Sequence, residues 1–425
     1  MAKTFIIIMA SLLAALPSVA FADPLNGADT AWMMTASALV LFMLLPGLSL
    51  FYAGLVGSKN VLSVLMQCFT IACVMSLLWF AVGYSLAFSG DGWFIGNLDK
   101  AFMRGVTADS LTGTIPESVF IVFQMTFIMI TPALFVGGFA ERMNFGAMLV
   151  FSIFWSLFVY IPICHWVWGG GWLAERGLLD FAGGTVVHVT AGVTAIVAAV
   201  VLGNRRGFPK KPMPPHSLPL TVTGAGMLWF GWFGFNGGSQ LAADGGAGMA
   251  ILVTHLSAAA GSVAWMIIEW IRFRRPSVLG IVTGMVAGLG TITPASGYVG
   301  PMGGILIGLT GGMVCYFATQ LIKSRLKIDD SLDVFPVHGV GGALGTLLAA
   351  VFISTQFQGA GYSDGMTMSS QFNVQLLGVL ATAVYTGIVS YTLLKIVALM
   401  TPLRADPETE QIGLDQIHHG EAGYN

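Results

Sequence analysis

The chain reads as an all-α polytopic membrane protein: eleven transmembrane helices with a five-plus-five inverted repeat. Three observations point there. Charged residues make up 9% and hydrophobic residues 56% of the 425, whereas about 25% of an ordinary soluble domain is charged. Apolar stretches of about 20 residues, enough to cross a bilayer core, recur almost from end to end, separated by short Gly, Pro and charged breaks. Lys and Arg are concentrated in every second break, which tests both the number of spans and their orientation.

The first 22 residues stand apart. Lys3 is a small basic n-region, an apolar run extends from Phe5 to about Leu16, and Ala20-Phe21-Ala22 is an A-x-A cleavage site. This reads as a secretory signal peptide (1–22) removed after Ala22, which leaves the mature N-terminus outside. An uncleaved first helix is the alternative; Pro17, close before the small-residue site, favours cleavage.

The transmembrane domain then covers 23–400. Spans are expected near 31–56, 61–88, 117–139, 145–167, 184–203, 217–238, 247–271, 277–293, 301–322, 335–354 and 372–400. From an outside start, Lys59, Arg142, Arg205, Arg206, Lys210, Lys211, Arg272, Arg274, Arg275, Lys323, Arg325, Lys327 and Arg404 fall inside, and Lys100, Arg104 and Arg176 outside. A miscount by one span would scramble this split, so count and orientation support each other. The expected location is the cell inner (plasma) membrane.

The tail, 401–425, is acidic, polar and too hydrophilic to span, so it belongs in the cytoplasm with the C-terminus. Composition alone favours a disordered end there; availability to a soluble partner is the other reading. Cys68, Cys73, Cys164 and Cys315 fall inside spans without CxxC spacing, so no zinc site or disulfide framework is indicated. A net charge of −2 gives no sign of nucleic-acid binding. No Walker A motif, acyl-transfer nucleophile or zincin spacing occurs, so neither ATP-driven pumping nor an enzyme is expected, and no cofactor or metal.

Two histidines carry the chemistry. His188 lies in Gly183-Gly184-Thr185-Val186-Val187-His188-Val189-Thr190-Ala191-Gly192, and His338 in Val337-His338-Gly339-Val340-Gly341-Gly342. An imidazole in hydrocarbon is expensive and marks a polar path, while small neighbours let helices approach closely. Asp180 precedes His188 in the fifth span as Asp333 precedes His338 in the tenth. An odd number of spans per half makes the halves run in opposite senses, and such folds place the path near their interface. Should the two rings meet, an Nδ–H···Nδ bond between neutral imidazoles would fix both tautomers, leave the Nε2 atoms facing a lumen and disfavour the doubly charged state. Two alternatives stay open: each histidine bonds a backbone carbonyl, or the pair ligates a heme or metal, for which no third ligand accompanies them.

Aromatic residues form the second constellation. Phe123 and Phe127 are i, i+4 on the third span; Trp232, Phe235 and Ser239 are i, i+3 and i+7 on the sixth; Trp168 precedes Gly169-Gly170-Gly171 at the outer end of the fourth. Such π-faces with a hydroxyl can hold a cation that sheds water, although aromatic stripes in membrane helices also serve packing and interfacial belts. Asp180, just before Gly183-Gly184, is placed to cap free N–H groups of the fifth span, and an added pull on a cation is compatible with that. Asp329, Asp330 and Asp333 are expected to be solvated or paired beside a basic inner loop.

Phe123-Gln124-x-x-Phe127, Gly137-Gly138-Phe139-Ala140-Glu141-Arg142, Asp180 to His188, Gly231-Trp232-Phe233-Gly234-Phe235-Asn236-Gly237-Gly238-Ser239 and Asp333-Val334-Phe335-Pro336-Val337-His338-Gly339 resemble hallmark segments of the ammonium transporter family, which includes the yeast and Rh-type proteins. The resemblance runs from about Ala31 to the C-terminus and is nearest to the bacterial branch. Met125, Thr126, Gly237 and Gly341 depart from it without disturbing the pore assignment.

The resemblance implies an eleven-helix protomer in a homotrimer, one pore per subunit. Trp168 and Ser239 with Phe127 would form the outer ammonium-recruiting site, Phe127 and Phe235 a stacked gate, and His188 with His338 the twin-histidine pair. Phe123 and Trp232 would line the outer vestibule and pore, with Asp180 in support near the recruitment site. The segment Gly413 to Tyr424 resembles the family's cytoplasmic regulatory segment, which implies docking of a PII-type signalling protein. The expected activity is recruitment and deprotonation of NH4+ and conduction of NH3, with or without separate proton transfer; methylammonium is a further candidate substrate. An ammonium sensor signalling through the tail is the alternative. A channel for a small neutral molecule such as CO2 fits the aromatic-plus-serine vestibule less well.

Overall fold

The computed structural model describes residues 25–424; the signal-peptide reading of 1–22 lies outside them. Nine helices among the described residues are long and apolar enough to cross a membrane. They are α1 (Gly27–Leu55), α2 (Ser58–Phe88), α3 (Glu117–Phe139), α4 (Phe145–Glu175, interrupted at Gly169-Gly170-Gly171), α5 (Gly184–Leu202), α7 (Gly245–Phe273), α9 (Pro301–Leu326), α10 (Phe335–Phe352) and α11 (Met368–Met400). Two more helices, α6 (Leu218–Gly238) and α8 (Val278–Ile292), stand where the sixth and eighth spans were expected. The chain is thus a helical polytopic membrane protein. A two-stranded hairpin, Leu111–Thr112 with Ile115–Pro116, precedes α3.

Helix starts follow local chemistry. Ser217, Asp244, Ser277 and Thr367 each accept a backbone N–H in the first turn of α6, α7, α8 and α11. Thr367 and Ser370 make a reciprocal capping box, so α11 begins four residues before the hydropathy pattern placed it. The core is one large apolar cluster, with Trp79, Trp155 and Trp232 fully enclosed, beside a smaller one around Ile292, Ile307 and Phe352.

The end of the bundle opposite the hairpin, the tail end, is held by charge. Arg142, fully buried, donates to Asp329 O (2.6 Å), Gly138 O (3.0 Å) and Ser331 Oγ (2.5 Å). Arg205 pairs with Asp329 (2.8 Å) and Glu141 (2.5 Å). Asp329 and Asp330 are both 0% exposed, so of the expected alternatives, solvated or paired, Asp329 takes the paired one and Asp330 is not solvated: the 327–334 loop folds inward over Arg142. Burial pushes the Asp329 carboxyl up, and the bonds and charge of Arg205 outweigh it and hold it below the usual range. Asp330 caps Phe335 N–H (2.7 Å), and burial, then the neighbouring Asp333 charge, pushes it up to about 6. Asp333 pairs with Lys323 (2.7 Å).

The tail is docked rather than loose, contrary to what its composition favoured. Its helix α12 (Pro407–Ile412) is pinned by Lys59 Nζ, which donates to Glu410 O (2.8 Å) and Gln411 O (2.6 Å). Arg404 pairs with Glu410 (2.5 Å). The Asp415 carboxylate accepts the Leu62 and Ser63 N–H groups at the start of α2, at 3.0 and 2.7 Å. A polar tail can order because its hydrogen-bonding partners are unsatisfied helix ends rather than an apolar core. The four cysteines are free; Cys68, Cys164 and Cys315 are buried and Cys73 faces outward.

Candidate functional site

Three cavities lie in series. One opens at the hairpin end and is lined by Lys100, Phe120, Gln124, Phe127, Trp168 and Ser239, among others. The second is narrow, apolar apart from its histidines, and lies among Phe235, Trp232, His188, His338, Ile130 and Leu134. The third opens toward the tail end past Tyr52, Lys323 and Asp333, and shares Phe51, Val286 and His338 with the second. Between the first and second stand Phe127 and Phe235, ring centroids 4.4 Å apart and planes inclined by 32°.

The histidines meet. A Cβ on Gly192 would lie 2.3 Å from Gly339 Cα, and one on Gly342 would lie 2.6 Å from His188 Cβ, so α5 and α10 touch backbone to backbone. His188 and His338 each sit in a widened π-helical first turn, Gly184–Val189 and Phe335–Gly339, a local irregularity common at functional sites. Their Nδ1 atoms are 3.1 Å apart and their ring planes 22° from parallel. One proton fills that gap, so the rings take opposite tautomers: the donor ring keeps a bare Nε2, its partner an Nε2–H. This replaces the carbonyl-bonded alternative. His188 Nε2 has no partner among the described residues. Its ring stacks 5.7 Å from that of Trp232, whose Nε1–H is held by Thr293 Oγ1 at 2.9 Å. Among the described residues no group of three His, Cys, Asp or Glu could hold a metal ion.

Near the hairpin end, Trp168 meets Phe127 edge-on (5.5 Å, 85°), and its Nε1–H donates to Asp180 O at 2.8 Å. Ser239 Oγ donates to Phe235 O at 2.9 Å, leaving its oxygen lone pairs as acceptors. The Asp180 carboxylate accepts Gly183 N (2.8 Å), Gly184 N (2.5 Å), Thr185 N (2.7 Å) and the Thr185 hydroxyl. Gly183, at φ 113°, lets the chain wrap this carboxylate, a turn that a side chain would strain. Asp180 therefore caps α5 and anchors Trp168 through its own carbonyl.

Phe123 does not face the first cavity. It is buried, edge-on to Phe127 at 5.1 Å and packed on Gly238. Phe120 and Gln124 line the cavity instead, with Tyr84, Phe88 and Lys100 from α2 and the following loop. The signal for them was available, because Phe120, Gln124 and Phe127 are i, i+4 and i+7 on α3. Trp232 lines the second cavity, beside His188.

A path of aromatic and histidine side chains through an apolar helical bundle is the build of a membrane transport protein. The chain belongs to the Ammonium Transporter Family, whose model it matches over residues 31–424. It is 45% identical to the ammonium transporter of Bacillus subtilis, over 93% of this chain and 98% of the relative. To that of Aquifex aeolicus it is 43% identical, over 94% of each. Among solved structures it resembles Mep2 of Saccharomyces cerevisiae, with 38% identity, TM-score 0.79 and coverage of 90% of this chain and 91% of that one. It also resembles a chain described as "Sensor Amt Protein", with 31% identity, TM-score 0.86 and coverage of 92% and 98%. The Bacillus and Aquifex relatives are named transporters, not enzymes, and ammonium is the substrate the family implies.

Proposed function

We propose that the protein recruits NH4+ at the hairpin-end cavity, removes its proton near the histidines and passes NH3 through the second cavity toward the tail end. The observation that carries this reading is the Nδ1–Nδ1 contact of 3.1 Å inside an apolar chamber. A bare cation in such a chamber costs on the order of tens of kcal/mol, so the ion gives up its proton before or beside the imidazoles. Trp168 and Phe127 supply π-faces and Ser239 an oxygen, which offset part of the lost hydration. Phe127 and Phe235 gate the passage, Phe123 buttresses Phe127, Trp232 orients His188, and Asp180 braces Trp168. The proton stays behind or follows separately through the histidines.

In this reading the hairpin end faces outside and the tail end the cytoplasm of the inner membrane. α1 to α11 are eleven spans, with α1–α5 and α6–α10 as inverted repeats. The mature chain follows a cleaved signal peptide and forms a homotrimer, and the tail offers a surface to a PII-type protein. Curated relatives named as transporters favour transport over sensing.

The test is an ammonium pulse on proteoliposomes holding the purified protein, with current and internal pH recorded together and empty liposomes as control. A transient inward positive current means electrogenic ammonium transport. Internal alkalinisation without current means net NH3 passage. The absence of both signals would overturn the reading.

A further inference from the structure

We propose that Glu117 and Tyr84 form a second cation station at the mouth of the hairpin-end cavity, occupied in this chain by the ammonium group of Lys100, which competes there with incoming primary ammonium ions. The inference rests on the transport reading above. Lys100 lines a cavity assigned to recruiting cations, an odd place for a fixed positive charge. Its Nζ pairs with Glu117 Oε1 and lies 5.8 Å from the centroid of the Tyr84 ring. The Tyr84 hydroxyl donates to the same Oε1 at 2.6 Å. A carboxylate and an aromatic face are the groups that recognise a primary ammonium, so the lysine shows the pose that NH4+ or methylammonium would adopt.

The two halves of the station differ in mobility. Glu117 and Tyr84 belong to α3 and α2, and the Glu117 side chain is 4% exposed. Lys100 comes from a loop, held by its own N–H to Ser85 Oγ at 2.9 Å, and its side chain is 37% exposed. The cation is therefore the partner that can leave. Inward from Glu117 the same face of α3 continues through Phe120 to Gln124, whose Oε1 has no hydrogen-bond partner among the described residues, and on to Phe127. Tyr84 and Phe88 pack on Phe120 at 6.5 and 5.1 Å. An ion leaving the station meets alternating π-faces and an oxygen acceptor on its way to the gate.

Removing the lysine leaves a sparsely exposed carboxylate without its counter-ion, which an ammonium ion then satisfies. Removing the carboxylate leaves an uncompensated lysine that repels the substrate over about 8 Å at physiological ionic strength. The test measures the half-saturating ammonium concentration for current or uptake in proteoliposomes of the full chain. Lys100→Met is expected to lower it by about fivefold and Glu117→Gln to raise it by a similar factor. Lys100→Arg is expected to stay near wild type. Lys100→Cys provides the comparison within one folded protein: it should show the lowered value, return to wild type on reaction with 2-aminoethyl methanethiosulfonate, and not return with the uncharged methyl reagent. Equal values for wild type, Lys100→Met and both forms of Lys100→Cys, with wild type transporting normally, would overturn the station. A wild type that carries no ammonium at all would instead overturn the transport reading, and the station with it.

Discussion

His188 and His338 meet through like atoms, Nδ1 to Nδ1 at 3.1 Å, across 150 positions of sequence. Each ring therefore sets the tautomer of the other, and a proton added to one is felt by its partner. Replacing His188 by Ala should leave assembly intact and reduce selective ammonium conduction by at least about tenfold, given what positioned acid–base groups ordinarily contribute. Wild-type flux in that variant would sink the relay.

The histidine contact depends on how closely α5 and α10 approach. Gly192→Ala would drive a methyl group to 2.3 Å from both Cα and N of Gly339, backbone atoms that cannot rotate away. The helices must part, at a cost of about 1–3 kcal/mol. We expect a lower melting temperature in detergent together with lost flux. Normal values of both would show that the approach is slacker than the geometry requires.

Arg205 holds two carboxylates, Asp329 and Glu141, at the tail end. Arg205→Met leaves both without that partner, one of them fully buried, and breaking such an arrangement from one side typically costs about 3–5 kcal/mol. Adding Asp329→Asn should recover part of the loss. Thermal unfolding of the two variants is the check, and a single variant as stable as wild type contradicts the network's importance.

Asp330 supplies a pH dependence. Its carboxyl is raised by burial and by Asp333 from 3.8 to about 6, so between these values the folded protein binds a proton that the unfolded chain has released. The contribution of this group to stability is then fullest below 3.8 and falls as pH rises toward about 6. Asn at this position stays neutral and still accepts the Phe335 N–H. Asp330→Asn should therefore be more stable than wild type above pH 6 and should lack this contribution to the slope between about 4 and 6. A variant less stable at pH 7, with its slope unchanged, would show that the charged form is needed.

Sequence by itself determined what depends on neighbours within a turn or two of helix. Apolar run length placed the long helices to within a few residues, and Asp180 before two glycines announced a cap that is indeed built from Gly183, Gly184 and Thr185. Histidines among small residues marked where helices could come close. Tertiary structure alone decided the rest, because rotation of a helix about its axis and the approach of distant loops are set by packing summed over the whole bundle. A turn of α3 about its axis chose Phe120 and Gln124 for the cavity and sent Phe123 behind Phe127. Loop 327–334 buried Asp329 and Asp330 because Arg142 and Arg205 were waiting beneath it. The tail, polar enough to read as loose, ordered because Lys59 and the open end of α2 offered it hydrogen bonds that no local pattern could reveal.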